Sequence, residues 1–222
     1  MNLEEAVKVR HSVRQYQEKP LEPEVLAQLQ AEMDACNQES GLHIQLVTNE
    51  EKAFDGFMAH YGKFSGVTNY IALVGKKDAA LDEKCGYYGE RLVLKAQMLG
   101  LNTCWVALTY SKIKTAFVVD PGEKLCVVIA LGYGKNQGSG HSKSKTVQDV
   151  AKVDGDMPDW FKKGVEFALM APTAMHQQKF TLSLQDGKVT AKAGMGFYTK
   201  VDLGIVKYHF EIGAGKTNFQ WA

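Results

Sequence analysis

Hydrophobic positions along the chain switch repeatedly between the 3.6-residue period of helices and the short apolar runs of strands. Residues 2–9 predict a short helix that leads into VRHSVRQY at 9–16. Pro23 marks the start of a second helix, with Val25, Leu26, Leu29 and Met33 at helical spacing. LHIQLVT at 42–48 alternates like a half-buried strand, EEKAFDGFMAHYGKF at 50–64 predicts a short helix ending in a Gly-containing loop, and NYIALVG at 69–75 is an apolar run of strand length. The clearest helix spans 81–100, where Cys85, Tyr88, Leu92, Ala96 and Leu99 recur at steps of three and four and Gly100 is placed to stop it. Two strands follow, 103–108 and 125–131, the second apolar enough to sit at the centre of a sheet. Residues 134–146, GKNQGSGHSKSKT, are loop by composition and are where basic residues concentrate. Beyond them come a helix at 157–171 stopping before Pro172, a hairpin turning on Asp186-Gly187, and a final helix from Asp202 into a run of glycines.

The order helix, strands, helix thus occurs twice. The expectation is an α+β fold of three layers, a mostly antiparallel central sheet flanked by helices, to which a shorter second unit lends its hairpin and the helix 157–171. The chain is expected to be one domain, 1–222, made of half-units 1–150 and 151–222.

Composition narrows the partners. A formal net charge of +1, from 26 basic and 25 acidic residues, removes the domain-wide positive field that nucleic-acid binding relies on. No apolar run approaches the ~20 residues that cross a bilayer. The opening MNLEEAVKVRH is acidic where a secretory signal has a basic start, so the cytoplasm is the expected location. The four cysteines form no C-x-x-C pair, and Cys104 and Cys126 read as small core residues. The six histidines are scattered without metal-ligand spacing, so no metal is expected.

The stretch at 9–16 carries the first candidate chemistry. If it is extended, Arg10, Ser12 and Arg14 share one face and His11 and Val13 the other. Two guanidinium forks around a hydroxyl suit a phosphate dianion, and the alternative is a solvated basic turn. Two glycine-rich stretches fail as nucleotide loops. LGYGKNQGSG lacks the G-x-G-x-x-G spacing with a helix behind it, and GAGKT at 213–217 has Phe210 where the upstream Gly belongs.

Four stretches together resemble the nitroreductase family of FMN-dependent enzymes: RHSVRQY, GLNTCWVAL, LGYG with the later HSKSKTVQDV, and MAPTAMHQQKF at 170–180. The resemblance implies a nitroreductase-like fold and an FMN site. In it Arg10, His11, Ser12 and Arg14 hold the phosphate, ribityl chain and pyrimidine edge, and Lys143 or Lys145 adds a second cation. Thr103 and Trp105 lie beside the ring, and Thr173 and His176 reach it from the second half-unit. It also implies hydride transfer from NAD(P)H through the flavin to a small electron-poor acceptor such as a nitroaromatic or quinone, with no protein nucleophile. The alternative is a flavin-binding protein without turnover, a sensor or store. The sequence departs from the family pattern at Asn102 (Gly), Thr173 (Ser), His176 (Asn) and Lys179-Phe180 (Pro-Trp). The motif holding Thr173 and His176 lies after residue 170 instead of after the second helix. That displacement fits a single-chain pseudo-dimer, expected to be a monomer with one FMN per chain.

Overall fold

A computed structural model of the chain describes residues 1–141 and 143–222, and each long element that the hydrophobic pattern predicts is present. α1 (Leu3–Val9) is opened by a reciprocal cap: the Glu5 N–H donates to the Asn2 side chain and the Glu5 carboxylate accepts from the Asn2 N–H, both at 2.9 Å. α2 (Pro23–Ser40) starts on proline, whose missing N–H breaks no helical bond, and stops at a left-handed Gly41. The segment expected as one helix over 50–64 is split into a 3-10 turn, Lys52–Phe54, and a one-turn α3 (Phe57–Tyr61). Phe54 and Ala59 enter the core while Phe57 and Tyr61 stay exposed, so no single helical face would bury them all.

β1 (His43–Val47), β2 (Asn69–Lys76), β3 (Asn102–Val106) and β4 (Glu123–Gly132) form an antiparallel sheet in the order β1–β2–β4–β3. β2 is buried on both faces. Ile71 and Leu73 join the core under the helices, and Tyr70, Ala72 and Val74 pack with Phe54, Phe64 and Tyr110 on the other side. Burial on two sides accounts for its unbroken apolar run, whereas the edge strand β1 mixes buried and half-buried positions.

The second unit contains α5 (Val147–Val150), β5 (Ala151–Val153), α6 (Asp159–Leu169), β6 (Phe180–Gln185), β7 (Lys188–Ala193), α7 (Thr199–Ala214) and β8 (Gln220–Trp221). The hairpin turns on Asp186 and Gly187, with φ of 50° and 73°, the positive pair that a tight two-residue turn needs. It does not join the first sheet. β6 pairs in parallel with β5, β7 in parallel with β8, and the four make a second sheet. The two units therefore share an order of elements but not a strand topology.

α4 (Leu81–Met98) packs on β2, β3 and β4, and α7 packs on α4, α6 and β7, so helices lie between the two sheets. One apolar core runs through both units, from Leu92 and Ile129 to Val165, Leu182 and Phe210. The crossing of α4 and α7 is made backbone to backbone. A Cβ on Gly86 would overlap the Val201 carbonyl, and one on Gly204 would overlap the Glu83 carbonyl and stand 2.6 Å from Tyr87 N. Gly204→Ala is expected to cost about 3 kcal/mol, because backbone cannot rotate out of the way as a side chain can. Gly100→Ala, left-handed but in open space, should cost only about 1–2 kcal/mol. Urea unfolding of the two variants measures the difference, and equal losses would mean that the helices are free to part.

Candidate functional site

α1 docks through Ala6 and Val7 against Leu94 of α4 and Phe167 of α6, which places its C-cap, Arg10, over the helical layer. From Arg10 the chain runs on as isolated bridges and not as a strand: Ser12 pairs with Thr103, Gln15 with Ser65 and Tyr16 with Gly134. A cavity of about 620 Å³ opens beside it, lined by Arg10, His11, Ser12 and Arg14, by Trp105, and by Thr173 and His176 from the second unit. His11 lines the cavity although strict alternation would set it opposite Ser12. A segment that leaves a helix cap and touches its neighbour at single residues lacks the regular pleat that alternation requires. Val13 does turn inward, buried beneath the Thr103 carbonyl that accepts its N–H at 3.0 Å.

The two arginines are not equivalent. Arg14 is exposed, its guanidinium over the Phe64 ring at 5.9 Å. Arg10 is 7% exposed, and its Nε is buried with no hydrogen-bond partner among the described residues. Glu90 Oε1 stands 3.8 Å from that nitrogen, too far for a hydrogen bond. Since a guanidinium does not release its proton in a protein, the cavity wall carries a buried cation with a carboxylate at ion-pair distance but one N–H, at Nε, without an acceptor among the described residues.

Glu90 itself is fully buried on α4. Its Oε2 accepts from Trp105 Nε1–H at 2.9 Å, and its Oε1 lies 2.8 Å from Nε2 of the equally buried His209 on α7. The Trp105 ring packs over Gly89, where any Cβ would overlap it.

The opposite wall is a strained turn. Met175, His176 and Gln178 have φ of 51°, 53° and 45°, a left-handed conformation that costs about 1–3 kcal/mol for each residue with a side chain. Asp202, in the first turn of α7, holds it by accepting from Ala174 N–H at 2.9 Å and Gln177 Nε2 at 2.7 Å. Burial pushes the Asp202 carboxyl above its ordinary range, against the pull of those two bonds. Gln178 N–H donates to Thr173 Oγ1 at 3.0 Å, and Lys145 donates through both N–H and Nζ to Gln178, each at 2.8 Å.

Three predicted residues do not line the cavity. Lys145 has its ammonium on the Gln178 carbonyl, Lys143 is exposed, and Thr103 is buried within β3. The 134–146 loop contributes Ser139, Gly140, His141 and Ser144 instead. His141 stacks on His176 with ring centroids 3.8 Å apart and planes 12° from parallel, and the Ser144 hydroxyl meets His176 Nε2 at 2.9 Å. Gly138 lies so close to the Arg10–Arg14 segment that a Cβ there would be 2.8 Å from His11 Cβ. Burial holds His11 below its ordinary value of 6.5, with Arg10 and His141 adding to it; His176 is lowered by burial and by His141. Asp202, Tyr198 and Ile205 complete the wall and escaped sequence reasoning, though a lone aspartate opening an apolar helix is a readable signal.

Asp202 is the one carboxylate among the described lining residues, so the cavity presents guanidinium, hydroxyl and imidazole groups to whatever it holds. That donor set, with Arg10 Nε unsatisfied, fits an anionic cofactor of moderate size. No helix among the described residues is long and apolar enough to cross a membrane.

The family model that the chain matches makes it an oxidoreductase of the nitroreductase class. The chain belongs to the family described as "Putative TM nitroreductase", which it matches over residues 2–214. Among solved structures it is similar to a "putative nitroreductase" from Thermotoga maritima, at 21% identity and a TM-score of 0.64, with 98% of this chain and 85% of that one covered. It is also similar to a "putative nitroreductase in complex with FMN" from Desulfovibrio desulfuricans, at 17% identity and a TM-score of 0.55, covering 71% and 98%. A third, "Putative NADH dehydrogenase/NAD(P)H nitroreductase" from Parabacteroides distasonis, shares 23% identity at a TM-score of 0.53, covering 68% and 97%. No curated protein matches the chain.

His11 and His176 take up protons less readily folded than unfolded. The stability they contribute is present above about pH 6.5 and is lost as pH falls through their lower folded-state values. Ring-proton NMR is expected to give both midpoints below 6.5, and His176→Asn should flatten the acid limb of the stability curve. Midpoints at or above the ordinary value would contradict the packing of the two rings.

Proposed function

We propose that the cavity binds FMN and that the chain passes a hydride from NAD(P)H to a small electron-poor acceptor such as a nitroaromatic or quinone. The observation that carries this reading is Arg10: a largely buried cation lining the cavity, which makes no hydrogen bond to Glu90 behind it, in a chain of the nitroreductase family. Bound FMN supplies the chemistry, accepting the hydride and giving it up again. The chain's residues hold and surround it. Arg10, Ser12 and Arg14 take its phosphate and pyrimidine edge, with Arg10 giving the stronger charge-assisted contact because water does not compete for it. Trp105, fixed by its bond to Glu90, provides a rigid wall. His11 and His176, kept neutral, offer hydrogen bonds without adding charge, and the stacked His141–His176 pair shields the cavity from water. Lys145 acts by holding the loop against Gln178.

Residues 10–14 and 173–176 of one chain line one cavity, which supports one FMN per chain bound by a monomer. Arg10→Ala should weaken FMN binding by about 1.5–3 kcal/mol, one to two decades, with Arg14→Ala costing less and Ser12→Ala least. Titration of the three variants with FMN reads the order. Freshly purified protein should be yellow, and its flavin band should bleach in stopped flow with NADH or NADPH. In analytical ultracentrifugation, that band should sediment with the monomer. A colourless protein that takes up no FMN removes the reading, and a flavin band that resists both nucleotides leaves a flavin store in its place.

A further inference from the structure

Glu90 and His209 lie behind the cavity wall, fully buried, and neither touches the space in front. Their arrangement has an oddity. A carboxylate and a guanidinium stand at ion-pair distance behind the cavity wall and yet make no hydrogen bond: Glu90 Oε1 stops 3.8 Å from Arg10 Nε, which has no hydrogen-bond partner among the described residues. The reason lies on the far side of the carboxylate. His209 Nε2 is 2.8 Å from that same Oε1, and Trp105 Nε1–H occupies Oε2 at 2.9 Å.

His209 Nδ1 faces the Phe167 carbonyl at 3.2 Å, and a carbonyl can only accept. A proton on Nδ1 alone would leave the Nε2 lone pair against a carboxylate oxygen. Only a second proton, shared between Nε2 and Oε1, satisfies both contacts. With that proton the group of Arg10, Glu90 and His209 carries one net positive charge, wherever between the two atoms the proton sits.

We propose that His209 and Trp105 hold the Glu90 carboxylate short of a hydrogen bond with Arg10, so that the guanidinium keeps its donors for an anionic ligand in the cavity. His209 is then a positioning residue of the site: it acts through Glu90 on Arg10. That the ligand is FMN rests on the reading above.

The proposal assigns opposite parts to Glu90 and His209, which a double-variant cycle separates. In Glu90→Gln the amide oxygen accepts from Trp105, and the amide N–H donates to a bare His209 Nε2. Arg10 gains no hydrogen bond from residue 90, and FMN affinity stays within about threefold of the parent. In His209→Leu the freed carboxylate closes on Arg10 and FMN affinity falls about tenfold or more. The Phe167 carbonyl is not orphaned by this change, since it also accepts from Met170 N–H at 3.0 Å. Glu90→Gln added to His209→Leu should restore most of the loss, because an amide cannot neutralise Arg10. His209→Asn, too short to reach Glu90, serves the same purpose if the leucine variant fails to fold. Failure of Glu90→Gln to rescue would mean that His209 merely packs α7 on α4, and the proposal falls. It falls equally if the His209 variants bind FMN like the parent. A flavin-free readout keeps the two readings apart: proton NMR of the parent should show Nδ1 protonated and a proton in the Nε2–Oε1 hydrogen bond, and Glu90→Gln should replace the latter with an amide N–H. A parent that shows both protons but binds no FMN defeats the flavin reading alone, and a parent with no proton between Nε2 and Oε1 defeats this one.

Discussion

Side chains are absent where α4 and α7 cross, and the rest of the molecule depends on that. Gly86 and Gly204 let the two helices meet through their main chains, with the Val201 and Glu83 carbonyls where Cβ atoms would otherwise stand. At ordinary helix spacing a layer of side chains would separate α7 from α4. Here Val201, Asp202 and Ile205 reach the cavity and His209 reaches Glu90 from successive turns of one helix. The same helix packs on β7, so the second sheet is tied to the first through the contact that shapes the site. Gly89 extends the arrangement by one turn, giving Trp105 a flat seat on α4.

Charge is distributed against the simplest expectation for an R-x-S-x-R segment. The pattern reads as two equal forks around a hydroxyl, but burial makes them different instruments. Arg14 is screened by water and backed by an aromatic ring. Arg10 is withdrawn from water without gaining a hydrogen bond at Nε, a costly state unless something else accepts from it. The Glu90 carboxylate, 3.8 Å behind that nitrogen, offsets part of the cost, while the lining of the cavity offers guanidinium, hydroxyl and imidazole groups to an anion.

The long elements were legible because each carries a period. α2, α4 and α6 repeat apolar positions at helical spacing, β2 and β4 are apolar throughout because both faces are covered, and Asp186-Gly187 can turn only one way. What was not legible lacks a period or depends on distant partners. β5 and β8 have three and two residues, and their parallel pairing is decided by where α6 and α7 deliver them. The motifs led to Arg10, Ser12, Trp105, Thr173 and His176, which the fold does gather at one cavity. They led away from Glu90 and His209, which look like ordinary helical positions until α4 and α7 are brought together. In the 134–146 loop the lysines drew attention, while the imidazole of His141 is the group that meets the cavity.

The turn at 173–178 shows how stability and site geometry are coupled. Three left-handed residues in four positions are held there by Asp202, Thr173 and Lys145, and mainly by directional hydrogen bonds instead of by apolar packing, since Met175 is almost fully exposed. Apolar packing tolerates small shifts, but hydrogen bonds weaken steeply with angle, so this turn is fixed only while all its partners are in place. Two of those partners belong to other elements, Asp202 to α7 and Lys145 to the loop before α5. Thr173 and His176 face the cavity from this turn, so its polar frame sets which groups the cavity meets there, while Phe180, two residues beyond the turn, is already part of the core. A rim held by hydrogen bonds thus stands directly on a core held by packing.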